Sequence, residues 1–241
     1  KRLQELSVHD QLFVCAQPTG SSIILISPDS ERTMNTFLGA NRAFGPRQVD
    51  RKMIAEAEIF HFTGYMWDTE SQKQSILTGI TAAKEHGTLV SFDIADPFSV
   101  SRNRQTFLRL IEEHVDIVFA NNEEARILFD NYDAGECAKA MGKICRTAIV
   151  KNGKHGSYAS HEGELFSIPV KGKAPVDTTG AGDVYAAGFL LGVCRNFTTF
   201  ESGLLASFLA GEIISQQGAQ FSSEKAAALT KSIDERDWSS I

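Results

Sequence analysis

The chain has 241 residues, 42% hydrophobic and 22% charged, with 24 Lys and Arg against 30 Asp and Glu, a net charge of −6. This is the composition of a soluble globular chain, long enough to bury a core without disulfide or metal staples. The acidic balance argues against a nucleic-acid binder. The absence of an apolar run of about 18 residues argues against a membrane span. The start of the chain, Lys1-Arg-Leu-Gln-Glu-Leu6, has no signal-peptide stretch, and Cys15, Cys137, Cys145 and Cys194 form no C-x-x-C pair, so free thiols and a cytoplasmic location are expected.

In chain order, Leu12–Ala16, Ser22–Ile26 and Thr33–Leu38 read as short strands, with Pro18-Thr-Gly20 and Pro28-Asp-Ser30 as turns. After Gly45-Pro46 the rhythm changes to alternating strands and helices. Strands are predicted at Glu58–Phe62, Leu89–Asp93, Val115–Ala120 and Thr147–Val150. Helices are predicted at Ser71–His86, Arg104–Glu113, Glu123–Phe129 and Gly135–Ile144. Ser157–Ile168 reads as a hairpin turning at Glu162-Gly163, and Lys171–Pro175 as a loop. Helices follow at Ala181–Arg195, Phe200–Gln217 and Ser223–Ile233, the first apolar nearly all round and so expected to be buried. Alternation of this kind predicts an α/β fold, a mostly parallel sheet covered by helices on both faces, with a small β appendage.

The chemistry is concentrated in Asp177-Thr-Thr-Gly-Ala-Gly-Asp183, which opens directly into the apolar helix. Free amides at a helix start, with the helix dipole, make an anion site, and glycine lets a phosphate approach the backbone. Asp183 beside such a site could take the proton of an attacking hydroxyl. A Rossmann site expects its glycines early in a βαβ unit, and a Walker A loop needs G-x-x-x-x-G-K-[ST]; neither is present. The six histidines show no zinc spacing. Asn121-Asn-Glu-Glu124 taken alone is a good helix cap, and Lys151–Gly156 taken alone a turn.

Asp177–Asp183 and the helix after it resemble the second signature of the PfkB family, the ribokinase-like carbohydrate and nucleoside kinases. Other landmarks fall in that family's order over residues 12–222. Asn121-Asn-Glu-Glu124 resembles its N-x-x-E motif, and Lys151-Asn-Gly-Lys-His-Gly156 its two-glycine nucleotide loop. Pro18-Thr-Gly20 and Glu31–Ala40 resemble lid strands of the branch holding adenosine kinases and related bacterial sugar kinases, and Asp93-x-x-Asp-Pro97 resembles a strand-end motif there.

The resemblance implies a three-layer α/β/α sandwich with a β-lid over residues 11–40 and a kinase core over 41–241. It implies ATP- and Mg2+-dependent transfer of a phosphoryl group to a hydroxyl of a sugar or nucleoside. Asp183 would be the catalytic base, and Gly180, Ala181 and Gly182 the anion hole. Asn121 and Glu124 would organise Mg2+ through water; Lys151, Gly153, Gly156 and Thr178 would border ATP, with Asn121. Asp177, Thr179, Gly218 and Ser222 match positions around a monovalent cation, K+. Lids of this family often pair, which implies a homodimer. The family's first strand, substrate-binding Asp and Gly-Gly segment have no counterpart before the lid, so the chain reads as a fragment, with a catalytically inactive binding module of the same fold as the alternative.

Overall fold

The computed structural model of the chain describes residues 3, 6, 8–26, 32–172 and 174–239. The Pro28–Ser30 turn, Glu31 and Lys173 lie outside the described residues. Two sheets form. Strands β1 (Ser21–Ile26) and β2 (Arg32–Phe37) pair antiparallel, with Ser21 opposite Phe37. The second sheet has six strands in sequence order: β3 (Ile59–Thr63), β4 (Leu89–Asp93), β5 (Ile117–Asn121), β6 (Thr147–Lys151), β7 (Ser157–His161) and β8 (Glu164–Ile168). Strands β3 to β6 run parallel; β7 and β8 reverse direction. The β7–β8 turn is at Glu162 and Gly163, both with positive φ, the mirror-image turn that matches strand twist.

Helices α1 (Arg51–Glu56), α2 (Glu70–His86), α3 (Pro97–His114), α4 (Asn122–Phe129) and α5 (Ala134–Gly142) precede or link the parallel strands. Helices α6 (Ala181–Cys194), α7 (Thr199–Ile214) and α8 (Ser223–Glu235) follow the sheet. Because side chains alternate along a strand, β5 supplies both cores. Val118 and Ala120 face a cluster with Phe62, Phe92, Phe107 and Ile111. Ile117 and Phe119 face Phe189, Leu205, Ile233 and Trp238. A sheet buried on both faces explains why β4 to β6 read as nearly continuous apolar runs. The apolar helix α6 packs on α7 at close range: a Cβ on Gly188 would lie 2.9 Å from the Ala206 Cα.

Two expectations change, and one helix was not expected. Leu12–Ala16 is not a strand; it makes no sheet pairing among the described residues, and Leu12 and Val14 are exposed. An apolar run forms a strand only where another strand meets its backbone groups. Helix α3 begins at Pro97 rather than at Arg104, with Asp96 accepting hydrogen bonds from the Phe98 and Ser99 amides and the backbone leaving helical geometry at Asn103. Proline at the first helical position is favoured because its missing N–H is not needed there. Helix α1, capped by Asp50, went unread because its six residues are too short for a periodic pattern.

The described cysteines are free thiols, and no described helix is long and apolar enough to cross a membrane. Phe92 stacks on Phe62 at 4.8 Å and meets Phe107 edge-on at 5.2 Å. Phe92→Ala is expected to cost about 3–5 kcal/mol in chemical denaturation; a loss below about 1 kcal/mol would show that this aromatic cluster does not anchor the core.

Candidate active site

Register brings the site together. Thr63 is opposite Asp93 in the β3–β4 pair, and Asn121 opposite Lys151 in the β5–β6 pair. The carboxyl ends of four parallel strands therefore form one edge, where α/β sheets commonly bind ligands. The first turn of α6 meets the same edge: a Cβ on Gly182 would lie 3.4 Å from the Lys151 Nζ.

Gly180 caps α6 with φ 77°, a left-handed conformation that disfavours any residue with a Cβ. The Ala181 amide donates to the Thr178 carbonyl at 3.3 Å. The Gly182 and Asp183 amides lie in the first turn, where no helical carbonyl receives them. Asp183 is exposed, and its carboxylate makes no hydrogen bond or ion pair among the described residues. Thr178 is exposed just before this turn.

Asp177 anchors the loop. One carboxylate oxygen accepts from the Thr179 amide at 2.9 Å and the Thr179 hydroxyl at 2.6 Å, and the other accepts from the Gly218 amide at 3.0 Å. Three of the four residues expected around a monovalent cation are thus joined directly. Ser222 instead accepts from the Lys225 amide at 3.1 Å, capping α8.

Asn121 and Glu124 form a reciprocal cap on α4. The Glu124 amide donates to the Asn121 side chain at 2.8 Å, while the Asn121 amide and side-chain nitrogen donate to the Glu124 carboxylate at 2.7 and 2.6 Å. The plain capping role read from the sequence is therefore real. It also buries the Glu124 carboxyl, and burial pushes its pKa up to about 7, against the pull of the Asn121 bond and of Lys151.

Lys151 reaches Asp93 at 2.8 Å, and both side chains are largely buried. Gly153 and Gly156 flank a single 3-10 turn beyond β6, and nothing lies within 4 Å of where a Cβ on Gly153 would sit. The sequence reading noted Asp93 and Asp96 as a motif but gave them no part in the site. Their signal was an acidic residue ending an apolar strand. Tyr65, also unread, follows β3; burial raises its pKa, and the charges of Asp96, Glu124, Asp183 and Asp93 raise it further.

No group of three His, Cys, Asp or Glu side chains among the described residues could by itself cage a metal. The donors present, carboxylates and an amide beside open backbone, suit a hard cation that keeps waters and shares phosphate oxygens. They fit Mg2+ carried with a nucleotide. A cavity of about 880 Å³ opens at the opposite strand ends, against Ile59, Leu89, Ile117 and Thr147. Two of its charged groups are already paired, Asp116 with Lys84 and Arg146 with Glu162.

A family profile described as pfkB family carbohydrate kinase matches residues 4–226. A probable sugar kinase from Rhizobium etli superposes with a TM-score of 0.89 at 34% identity, over 95% of this chain and 71% of its own. An adenosine kinase from Sinorhizobium meliloti superposes with a TM-score of 0.89 at 33% identity, over 96% and 72%. A 5-dehydro-2-deoxygluconokinase from Geobacillus kaustophilus is 27% identical over 161 residues, 63% of this chain and 48% of that protein, so the chain spans about half the length of this curated relative. The fold is ribokinase-like α/β, as expected. With a profile match over most of its length and kinase structures superposing on nearly all of it, the chain belongs to the pfkB family of carbohydrate kinases.

Proposed function

We propose that this chain carries the core of an ATP- and Mg2+-dependent phosphotransferase acting on a hydroxyl of a sugar or nucleoside. The observation that carries this reading is Asp183: an exposed carboxylate on the first turn of α6, directly after a glycine loop with open amides. Likeness to a sugar kinase and to an adenosine kinase supports both acceptor classes.

Asp183 would accept the proton as the acceptor oxygen attacks the γ-phosphorus, and ADP would leave with the electron pair of the broken P–O bond. The amides of Gly180 and Gly182 would hold the transferring group, joined by that of Ala181 once it leaves the Thr178 carbonyl. Lys151, Gly153, Gly156 and Thr178 would border the nucleotide. Glu124 and Asn121 would hold Mg2+ through its waters, and bound Mg2+ would offset phosphate charge. The Asp177, Thr179 and Gly218 junction, with Ser222 nearby in sequence, would seat K+. The β1–β2 sheet would be the lid, excluding water as it closes. Its exposed Ile23, Leu25 and Phe37 share one face, which suits contact with an acceptor or with a second lid in a homodimer.

The test is ADP release from ATP and Mg2+ across a panel of sugars and nucleosides, using the complete protein. Acceptor-dependent release is expected, and Asp183→Asn should lower turnover at least about 10²-fold while ATP still binds. Near-wild-type turnover in Asp183→Asn would remove it as the base.

Glu124 makes a second prediction. Its carboxyl is raised from 4.5 to about 7 in the folded chain, so between those values the unfolded chain binds fewer protons. Stability should therefore fall as pH rises from 5 to 7, by on the order of 2 kcal/mol through this group. Urea unfolding of Glu124→Gln should show a flatter pH dependence than wild type; parallel curves would contradict the assignment.

A further inference from the structure

We propose that Asp93 is a positioning residue that holds the Lys151 ammonium at the glycine loop, where that ammonium supplies positive charge to the phosphoryl group in transfer. The proposal rests on the kinase reading and extends it to a residue outside the sequence-derived site.

The geometry begins with reach. Lys151 ends β6 and Asp93 ends β4, with β5 between them. Neighbouring strands are about 4.8 Å apart, so the lysine must lean across a full strand to meet this partner. It does so 6.0 Å from the centre of the Phe119 ring, and closes on the Asp93 carboxylate at 2.8 Å. A lysine at a strand end has a flexible four-carbon stem that ordinarily takes its charge to water. Here a carboxylate two strands away holds it inward.

Asp93 is itself held. Its other oxygen accepts from the Ala95 amide at 3.2 Å, in a turn where Ala95 takes φ 67°. Left-handed backbone at a residue other than glycine is costly and persists where surrounding structure requires it. The Ile94 amide, bonded to the Phe119 carbonyl at 3.0 Å, fixes the same turn to β5. Burying an ion pair seldom adds stability, because desolvation offsets the attraction. What this pair does accomplish is placement: the Lys151 Nζ lies 3.4 Å from the point a Gly182 Cβ would occupy. An anion seated on the Gly182 amide would rest against that ammonium. In the transfer the acceptor proton goes to Asp183 and the broken bond's electron pair leaves with ADP.

The test compares Asp93→Asn, Lys151→Gln and the double variant in the complete protein. Each single variant should lower kcat about 10²-fold. The KM for ATP should stay within about threefold, the pattern of an interaction made in the transition state. The double variant should be no worse than Lys151→Gln, because both changes remove one function. Acetylation of Lys151 by acetic anhydride, followed by mass spectrometry, should quicken several-fold in Asp93→Asn. A kcat in Asp93→Asn within about twofold of wild type, or losses that multiply in the double variant, would overturn the proposal. Should Asp93→Asn not fold, unchanged kcat in Lys151→Gln overturns it equally. A wild-type protein that turns over no acceptor would sink the kinase reading and this catalytic role together, a failure visible in the wild type alone. Unchanged acetylation of Lys151 in Asp93→Asn would sink the positioning by itself.

Discussion

Parallel pairing of β3 to β6 in matched register is the constraint on which the candidate site depends. It brings Thr63, Asp93, Asn121 and Lys151 to one edge, although 88 positions of sequence separate the first from the last. Helical crossovers bury one face of the sheet, and α6 to α8 cover the other. The carboxyl ends and the loops that leave them meet along one edge that a ligand can reach. Helix α6 completes the edge because its apolar body is packed against the sheet and α7, so its first turn is held rigidly beside Lys151.

The polar groups at this edge share a second property. Several are already engaged in local structure: Asn121 with Glu124, Asp177 with Thr179 and Gly218, Asp93 with Lys151. A capping role does not compete with the role proposed for each of them. A side chain tied by two or three hydrogen bonds has little rotamer freedom left to lose, which is what a preorganised site needs. Asp183 is the contrast. Its carboxylate makes no such bond among the described residues.

Much of this was legible in the sequence. The four parallel strands, the β7–β8 hairpin and the buried helix α6 follow from apolar runs, a Glu-Gly turn and an all-round apolar pattern. Asp177–Asp183 stood out because two acidic residues bracket a small-residue loop at a helix start. What stayed hidden is non-local. Nothing in the spacing says that Lys151 leans across β5 to Asp93. That contact depends on which strands are neighbours and how their ends align. Leu12–Ala16 failed for the same kind of reason: its composition suits a strand, but pairing is decided by another segment.

The central claim is that the glycine loop before α6 is where the transferring phosphate sits. A crystal structure of the complete protein with Mg2+ and a non-hydrolysable ATP analogue tests it most directly. The account predicts the γ-phosphate within hydrogen-bond distance of the Gly182 amide, with Asp183 facing its open side. A phosphate chain bound elsewhere, with the Gly180–Gly182 amides contacting only water, would contradict it.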